Sequence, residues 1–352
     1  MVQAMIKDRS IFIKNIYYML SYVYTDLIQN DYRDIAVEEF ENVGDILSVI
    51  LFKMVSKQMK RGMIKKYIEE QSEVETLKGK INIQESIKLR ASNKNKLYCE
   101  YDKLSINNYL NSIIKITIKV LILSKDVSEK NKKNLKKLMF LFSNVNLIEI
   151  DKIRWSDIEY NRNNKGYTGI INICYLVLND LLLSTDDGEY RLASFFSEKK
   201  MYSLYEKFVL KYYQKHYPNL HPRASKIKWN LDDESEQFLP EMKTDITLRG
   251  KDKILIIDTK YYEKSMQTID IYNSRTIHSN NLYQIFTYVK NRDTDKSGNV
   301  SGLLLYAKTD ETVIPNGEYM MSGNKIMVKT LDLNTEFKFI AQSLNKIADD
   351  LM

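Results

Sequence analysis

The sequence predicts a mixed α/β (α+β) protein in two parts: helices with a small β element first, then a part in which strands and helices alternate. Three observations carry this. Apolar residues recur at spacings of three and four in several long segments, the mark of amphipathic helices. After Arg61-Gly62 that periodicity gives way to short, turn-punctuated stretches. Further on, Ile254–Ile257 is apolar at every position, as expected of a strand covered on both faces. With 352 residues, the chain is long enough for two domains with their own cores.

Taken in order, Ile13, Ile16, Leu20, Val23 and Leu27 predict a first helix over Ile11–Leu27. Leu47, Ile50, Leu51 and Met54 predict a second over Asp45–Gln58. Lys65–Glu70, Glu75–Ile83 and Lys96–Tyr101 form the small β element, with Gly79 allowing a bend. Asp102–Ser124 is expected as a long helix with Leu110, Ile113, Ile114, Thr117, Val120 and Leu121 inward. The lysine-rich run Lys125–Lys137 reads as a solvated helix face or a phosphate-binding stripe, the former preferred. Leu147–Asp157 is expected to be extended. The polar stretch Asn161–Gly166 is taken as the boundary between a domain of residues 1–161 and one of residues 162–352.

The second part opens with an apolar helix over Tyr167–Ser184, an acidic turn over Thr185–Glu189 and a helix over Ser197–Tyr213. In that helix Glu206 stands between Tyr205 and Phe208, either as an exposed flank or as a third acid directed at a metal. The residues leave the two open. Thr244–Leu248 and Lys253–Tyr262 are expected as paired strands, Ser279–Asn291 as a helix, Ser301–Tyr306 and Lys325–Leu331 as strands, and Thr335–Asp350 as a closing helix.

The chemistry concentrates where the buried strand ends, at Asp258, Thr259 and Lys260. Strand side chains alternate faces, so Asp258 and Lys260 share one. With an even hairpin loop, Gly250–Lys251 or Arg249–Asp252, Asp245 opposes Ile256 and falls on the face of Asp258. Two carboxylates and a lysine on one face suit metal-assisted phosphodiester hydrolysis, with Mg²⁺ on the acids and Lys260 positioning water or offsetting charge. The plainer alternative is a surface salt bridge. Gln284 and Tyr288, four apart on one helix face, can bond a phosphate oxygen or steer the lysine, or form an ordinary helix flank.

Composition narrows the classes. The balance of 53 Lys+Arg against 46 Asp+Glu leaves +7, compatible with nucleic acid but not diagnostic of it. Two cysteines far apart and three histidines argue for a reducing compartment and against a zinc site. No apolar run is long enough to span a membrane, and the N-terminus does not read as a signal peptide, so a cytoplasmic protein is expected. No G-x-x-x-x-G-K-[ST] occurs, so a nucleotide-binding P-loop is absent from this chain, and no G-x-S-x-G elbow occurs.

In order and spacing, Glu206, Asp245, Asp258-Thr259-Lys260 and the Gln284/Tyr288 helix resemble the PD-(D/E)xK nuclease superfamily, including its Q-x-x-x-Y branch. The proline–acid element is loose, with Pro240 and Glu241 well ahead of Asp245. More closely, NIYYML at Asn15–Leu20, Arg61-Gly62, LKGKINI at Leu77–Ile83, Tyr101–Leu104, MKTDITLRGKDKILIIDTKYY and HSNNLYQIFTYV at His278–Val289 are similar to the McrC family, the nuclease subunits of McrBC modification-dependent restriction systems.

The resemblance implies a C-terminal nuclease domain with a mixed sheet flanked by helices. It implies Mg²⁺ held by Asp245, Asp258, the Thr259 carbonyl and, in one reading, Glu206. It also implies an N-terminal domain that docks on a hexameric AAA+ partner, McrB, and stimulates its GTPase. GTP and the reading of 5-methylcytosine in double-stranded DNA belong to that partner. The region Arg61–Tyr101 is the candidate docking element, and self-pairing through the nuclease domain is expected during double-strand cleavage. A catalytically silent adaptor and a stand-alone repair nuclease are the competing readings.

Overall fold

The expected first helix is present over residues 14–23 (α1) in the computed structural model, which describes residues 14–24, 40, 42–184, 191–193, 196–233, 237–262, 267–269, 274–308 and 314–352. Both ends of the Ile11–Leu27 span, and the acidic turn Thr185–Glu189, lie outside these residues. The second helix, α2, runs over Val43–Arg61, with Leu47, Ile50 and Leu51 buried as expected. Asp45 in its first turn and Lys60 and Arg61 in its last complement the helix dipole.

The chain forms two compact units, Leu47–Ala193 and a second made of the residues up to Ile46 with Ser194–Met352. In the Leu47–Ala193 unit, β1 (Lys66–Val74), β2 (Lys80–Ile81) and β3 (Leu97–Ser105) form an antiparallel sheet in the order β1-β3-β2. Gly79 has a φ of +62°, and a Cβ there would collide with the Glu100 carbonyl, so the bend at that position needs glycine. A helix absent from the sequence reading, α3 (Ile83–Ala91), lies between β2 and β3, capped by Asn82. Its apolar residues Ile83 and Ile87 are both 64% exposed, so no buried stripe announces it.

The long helix starts later than expected. Residues 102–105 pair with β1 as the end of β3, and α4 covers Tyr109–Leu123, begun by the Asn108 side chain accepting from the Asn111 N–H. All six residues expected inward are buried. α5 (Glu129–Leu141) packs on α4 through its buried Leu135 and Leu138, leaving most of the lysines of the run on a solvated face. Leu147–Asp157 is not an extended strand: it holds two 3₁₀ turns, Ile150–Lys152 and Trp155–Asp157. The apolar helix is shorter than expected. α6 (Thr168–Tyr175) passes into a π-helical segment, Leu176–Leu181, then β4 (Leu182–Ser184), which pairs with β5 (Arg191–Leu192).

Asn161–Gly166 is therefore no border between compact units. Asn164 is buried, accepts from the Asn161 N–H at 2.6 Å and donates to the Glu159 carbonyl at 2.8 Å. Just beyond it, the Tyr167 hydroxyl bonds Asn111 and the Ile64 N–H. The polar residues there satisfy a turn that seats α6 beside α4. Likewise α1 belongs with the C-terminal unit. Asn15 donates to the Leu333 and Thr335 carbonyls at 2.6 and 2.7 Å, and Tyr22 packs against Phe208, Tyr212 and Phe337.

That unit is built on a mixed five-stranded sheet. Its first long helix is α7 (Glu198–His216), capped by Ser197. Two short strands, β6 (Lys226–Ile227) and β7 (Met242–Lys243), pair with each other. Then come β8 (Ile246–Arg249), β9 (Ile254–Lys260) and a small hairpin, β10 (Gln267–Ile269) with β11 (Ser274–Thr276). Helix α8 (Ser279–Arg292) precedes β12 (Val300–Lys308), β13 (Gly317–Met321) and β14 (Asn324–Asp332), and α9 (Phe337–Asp349) closes the chain.

The sheet order is β13-β14-β12-β9-β8; β9, β12 and β14 are parallel, and the two outer strands antiparallel to their neighbours. On one face Ile256, Leu304, Tyr306, Ile326 and Val328 form a core with Ile285, Tyr288 and Val289 of α8. A Cβ on Gly302 would meet Ile285 and Val289 at 2.7 and 2.9 Å, so this glycine lets α8 lie close to the sheet. Leu255, Ile257, Thr259, Leu303 and Leu305 point the other way and are buried too, so the second face is also covered. α7 and α9 pack on the sheet and are tied together by the Tyr213 hydroxyl donating to the Leu344 carbonyl at 3.1 Å.

Candidate active site

The acid-and-lysine cluster forms where β9 leaves the centre of the sheet. The hairpin register is Arg249 opposite Ile254, closing a four-residue loop over Gly250–Lys253 with a 2.9 Å bond from the Gly250 N–H to the Lys253 carbonyl. The loop is even, as expected, but two residues further along. The paired residues keep the expected parity, with Thr247 rather than Asp245 opposite Ile256; the ladder ends at Ile246, and Asp245 stands just outside it.

Asp245 lies in a bend just before β8. Its Oδ2 accepts from both the Thr259 N–H, at 2.7 Å, and the Thr259 hydroxyl, at 2.8 Å. Thr259 thus touches the site through its donors. Asp258 is 1% exposed and Lys260 5%. The lysine Nζ lies 2.6 Å from Asp258 Oδ2, an ion pair buried at the end of the strand. The ammonium also donates to Gln284 Oε1 at 2.9 Å, and Gln284 Nε2 donates to the Tyr288 hydroxyl at 3.0 Å. Lys260, Gln284 and Tyr288 are therefore one relay from β9 to α8.

Glu206 is half-buried on α7. Burial, and then the Asp245 charge, raise its carboxyl above the ordinary range, against the pull of Lys207, Lys243 and Lys260. Glu206 is therefore not an exposed flank but a half-buried acid within the field of Asp245. Asp245 is also raised by burial, partly offset by the two Thr259 bonds. Burial and then Asp245 push Asp258 up to about 7, with Lys260 opposing. All three carboxyls are thus held above the ordinary range, burial being the first cause at each.

Tyr202 was not singled out from the sequence. It stands one turn before Glu206 on α7, and its hydroxyl is raised by burial and then by Asp245, Asp258 and Glu206. The Y-x-x-x-E spacing was the available signal. Glu241 is not at the site; it pairs with Lys226 at 2.8 Å, while the Pro240 carbonyl accepts from Trp229. Among the described residues no three His, Cys, Asp or Glu side chains gather as a complete ligand set. Cys99 and Cys174 are free and buried, as expected, and no helix of the described residues is long and apolar enough to cross a membrane.

Fold and sequence together put the chain among the components of restriction systems. The family described as "McrBC 5-methylcytosine restriction system component" matches residues 7–307, and the chain belongs to that family. It is 29% identical over 344 residues to the type IV methyl-directed restriction enzyme EcoKMcrBC of Escherichia coli strain K12, covering 97% of this chain and 98% of that protein. In fold it is similar to a chain from a refined half-complex of the tetradecameric assembly of Thermococcus gammatolerans McrB AAA+ hexamers with bound McrC. There the TM-score is 0.60 and the identity 18%, over 95% of this chain and 76% of the other.

Proposed function

We propose that this chain is the Mg²⁺-dependent DNA endonuclease subunit of a GTP-driven, 5-methylcytosine-dependent restriction complex, with a PD-(D/E)xK site, and that it stimulates the GTPase of a McrB-type AAA+ hexamer. The observation that carries the nuclease reading is the buried cluster itself. An adaptor has no use for an aspartate and a lysine buried side by side, with a second aspartate clamped beside them; such groups are costly to bury without a ligand or a reaction to serve. The partner reading rests on family membership and on the complex in which the similar archaeal chain is found. It fits the missing P-loop, since the nucleotide is then the partner's.

Asp245 and Asp258 would hold the ion, with the Thr259 carbonyl as a further ligand and Glu206 on its outer side. When bound, Mg²⁺ polarises the scissile phosphate and lowers the pKa of an attacking water. The chain's own residues do the rest. Thr259 fixes the Asp245 carboxylate through two donors. Lys260, held by Gln284 and Asp258, presents a positive charge toward the phosphate and orients the water. Tyr288 fixes the amide of Gln284, so the ammonium keeps one direction. The low-dielectric surroundings strengthen each of these interactions.

The test mixes this protein with the AAA+ protein of its own restriction system, GTP, Mg²⁺ and plasmid, methylated or not. Cleavage confined to methylated plasmid and dependent on GTP is expected. Cleavage without partner or GTP would instead indicate a stand-alone nuclease, and GTPase stimulation without any cleavage an adaptor.

A further inference from the structure

A second site lies on the same sheet edge as the carboxylates but shares no residue with them. A cavity of about 340 Å³ opens between β8, the segment leading into β6, and the end of α8. Its walls carry Arg223, Arg249, Arg292 and His221; Thr247 and the buried Ile256 lie at its base. Lys226, also on the wall, is paired with Glu241. The three guanidinium groups have no ion pair or side-chain hydrogen bond among the described residues. Three unpaired arginines around one cleft repel one another unless an anion joins them, and their planar forks match phosphate oxygens.

Position narrows the anion. Thr247 and Arg249 alternate along one edge strand opposite Ile256 and Ile254, so both point to the α8 face, and Arg223 pairs with Thr247 through the backbone. Asp258 shares that face on β9, and from Asp258 to Ile254, the partner of Arg249, the strand rises about 13 Å at roughly 3.3 Å per residue. On α8, Gln284 bonds Lys260 at the carboxylate end and Arg292 lines the cleft, eight residues or about 12 Å along the helix axis. Two independent elements thus give one separation. A nucleic acid strand rises about 3.4 Å per nucleotide, so about four nucleotides cover that distance.

We infer that Arg223, Arg249 and Arg292 form a backbone-phosphate site for duplex DNA, gripping the strand about four nucleotides from the scissile phosphate that faces Lys260. The inference rests on the nuclease reading for what lies at the carboxylates, but the binding it claims does not need cleavage. The cleft contributes affinity and register, not base recognition, because guanidinium-to-phosphate contacts carry no sequence information.

The test measures binding of a short fluorescent duplex to full-length Asp258→Ala protein over a salt series, with and without a further Arg223→Gln/Arg249→Gln change. Arg292→Gln is made separately, because that residue is on a different element. The double change should weaken binding about tenfold and reduce the slope of log affinity against log salt by about one to two, equally for unrelated sequences. In the cleaving protein the same change should raise KM and leave kcat at saturating DNA within about twofold. An unchanged melting temperature confirms the fold. Unchanged duplex affinity and slope would overturn the inference. So would loss of pyrophosphate binding with duplex binding intact, since the cleft would then serve a small phosphate anion. If Asp258→Ala still cut DNA, the nuclease assignment would fall while the salt slope still decided the cleft.

Discussion

Asp245 is held by the residue that follows Asp258 in the chain: its Oδ2 takes both the N–H and the hydroxyl of Thr259, at 2.7 and 2.8 Å. One carboxylate is thereby locked to the backbone of the strand that carries the other, and their spacing is fixed by strand geometry rather than by side-chain freedom. Thr259→Val keeps the N–H bond, the shape and the burial but removes the hydroxyl. Cleavage should fall about tenfold, with a stability loss of about 1–3 kcal/mol for a bond to a charged group. Plasmid cleavage and thermal melting check this; full activity would mean the hydroxyl does not set the position of Asp245.

Lys260→Met retains bulk and removes charge. Cleavage should drop by about 10²–10³, while Mg²⁺ affinity at pH 8 changes little. Two effects oppose each other there: loss of a cation 2.6 Å from Asp258 favours the metal, and a carboxyl without its ion pair holds a proton more firmly. Calorimetric titration with Mg²⁺ reads the affinity. A large loss would make Lys260 part of the metal site rather than the group that positions water.

The pH dependence follows from Asp258. Its carboxyl is pushed up from 3.8 to about 7 in the folded chain, by burial first and then by Asp245. Between roughly pH 4 and pH 7 the folded protein therefore holds a proton that the unfolded chain has released, and without metal this group lowers stability as pH rises through that window. Mg²⁺ needs the ionised carboxylate, so at pH 6 it must displace the proton and at pH 8 it need not. The rise in melting temperature produced by Mg²⁺ should be larger at pH 8 than at pH 6, and lost in Asp258→Asn. Equal shifts at both pH values would contradict the assignment.

One cluster of Asp245, Asp258 and Lys260 serves one phosphodiester, and the sequence contains no second copy of it. Double-strand cleavage then takes either two copies of the chain, one per strand and related by a two-fold axis, or a slow second turnover by one copy; we propose the pair. Mixing wild-type protein with excess Asp258→Ala should shift products from linear to nicked plasmid. If linear product fell only in proportion to total activity, the two strands would be cut by one copy.

How much of this was legible in the sequence varies by element. The unbroken apolar run Ile254–Ile257 announces a strand with two covered faces, and the acid and lysine directly after it stand out as buried charges. Parity of the paired residues survives a two-residue register shift because any even loop preserves it, while Asp245 falls just beyond the ladder. The relay from Lys260 through Gln284 to Tyr288 was readable as a spacing of four. What was hidden rests on contacts between residues distant in the chain. Asn15 gives no sign that it will bond the carbonyls of Leu333 and Thr335, so the first helix was grouped with its sequence neighbours. Asn161–Gly166 has the composition of a linker, but Asn164 uses that polarity to satisfy a buried turn. Helix α3 was missed because it buries almost nothing. The arginine cleft gathers residues from three separate elements, Arg223, Arg249 and Arg292, which no local pattern connects.

If the Asp245–Asp258–Lys260 cluster cuts and partner activation lies elsewhere in the chain, one substitution separates the two. The most direct measurement takes full-length Asp258→Ala with the AAA+ partner, GTP, Mg²⁺ and methylated plasmid, and follows DNA cleavage and GTP hydrolysis in the same tube. No cleavage above background is expected, with GTP hydrolysis stimulated to the wild-type level. Cleavage retained, or both activities lost in a protein that still melts cooperatively, would contradict it.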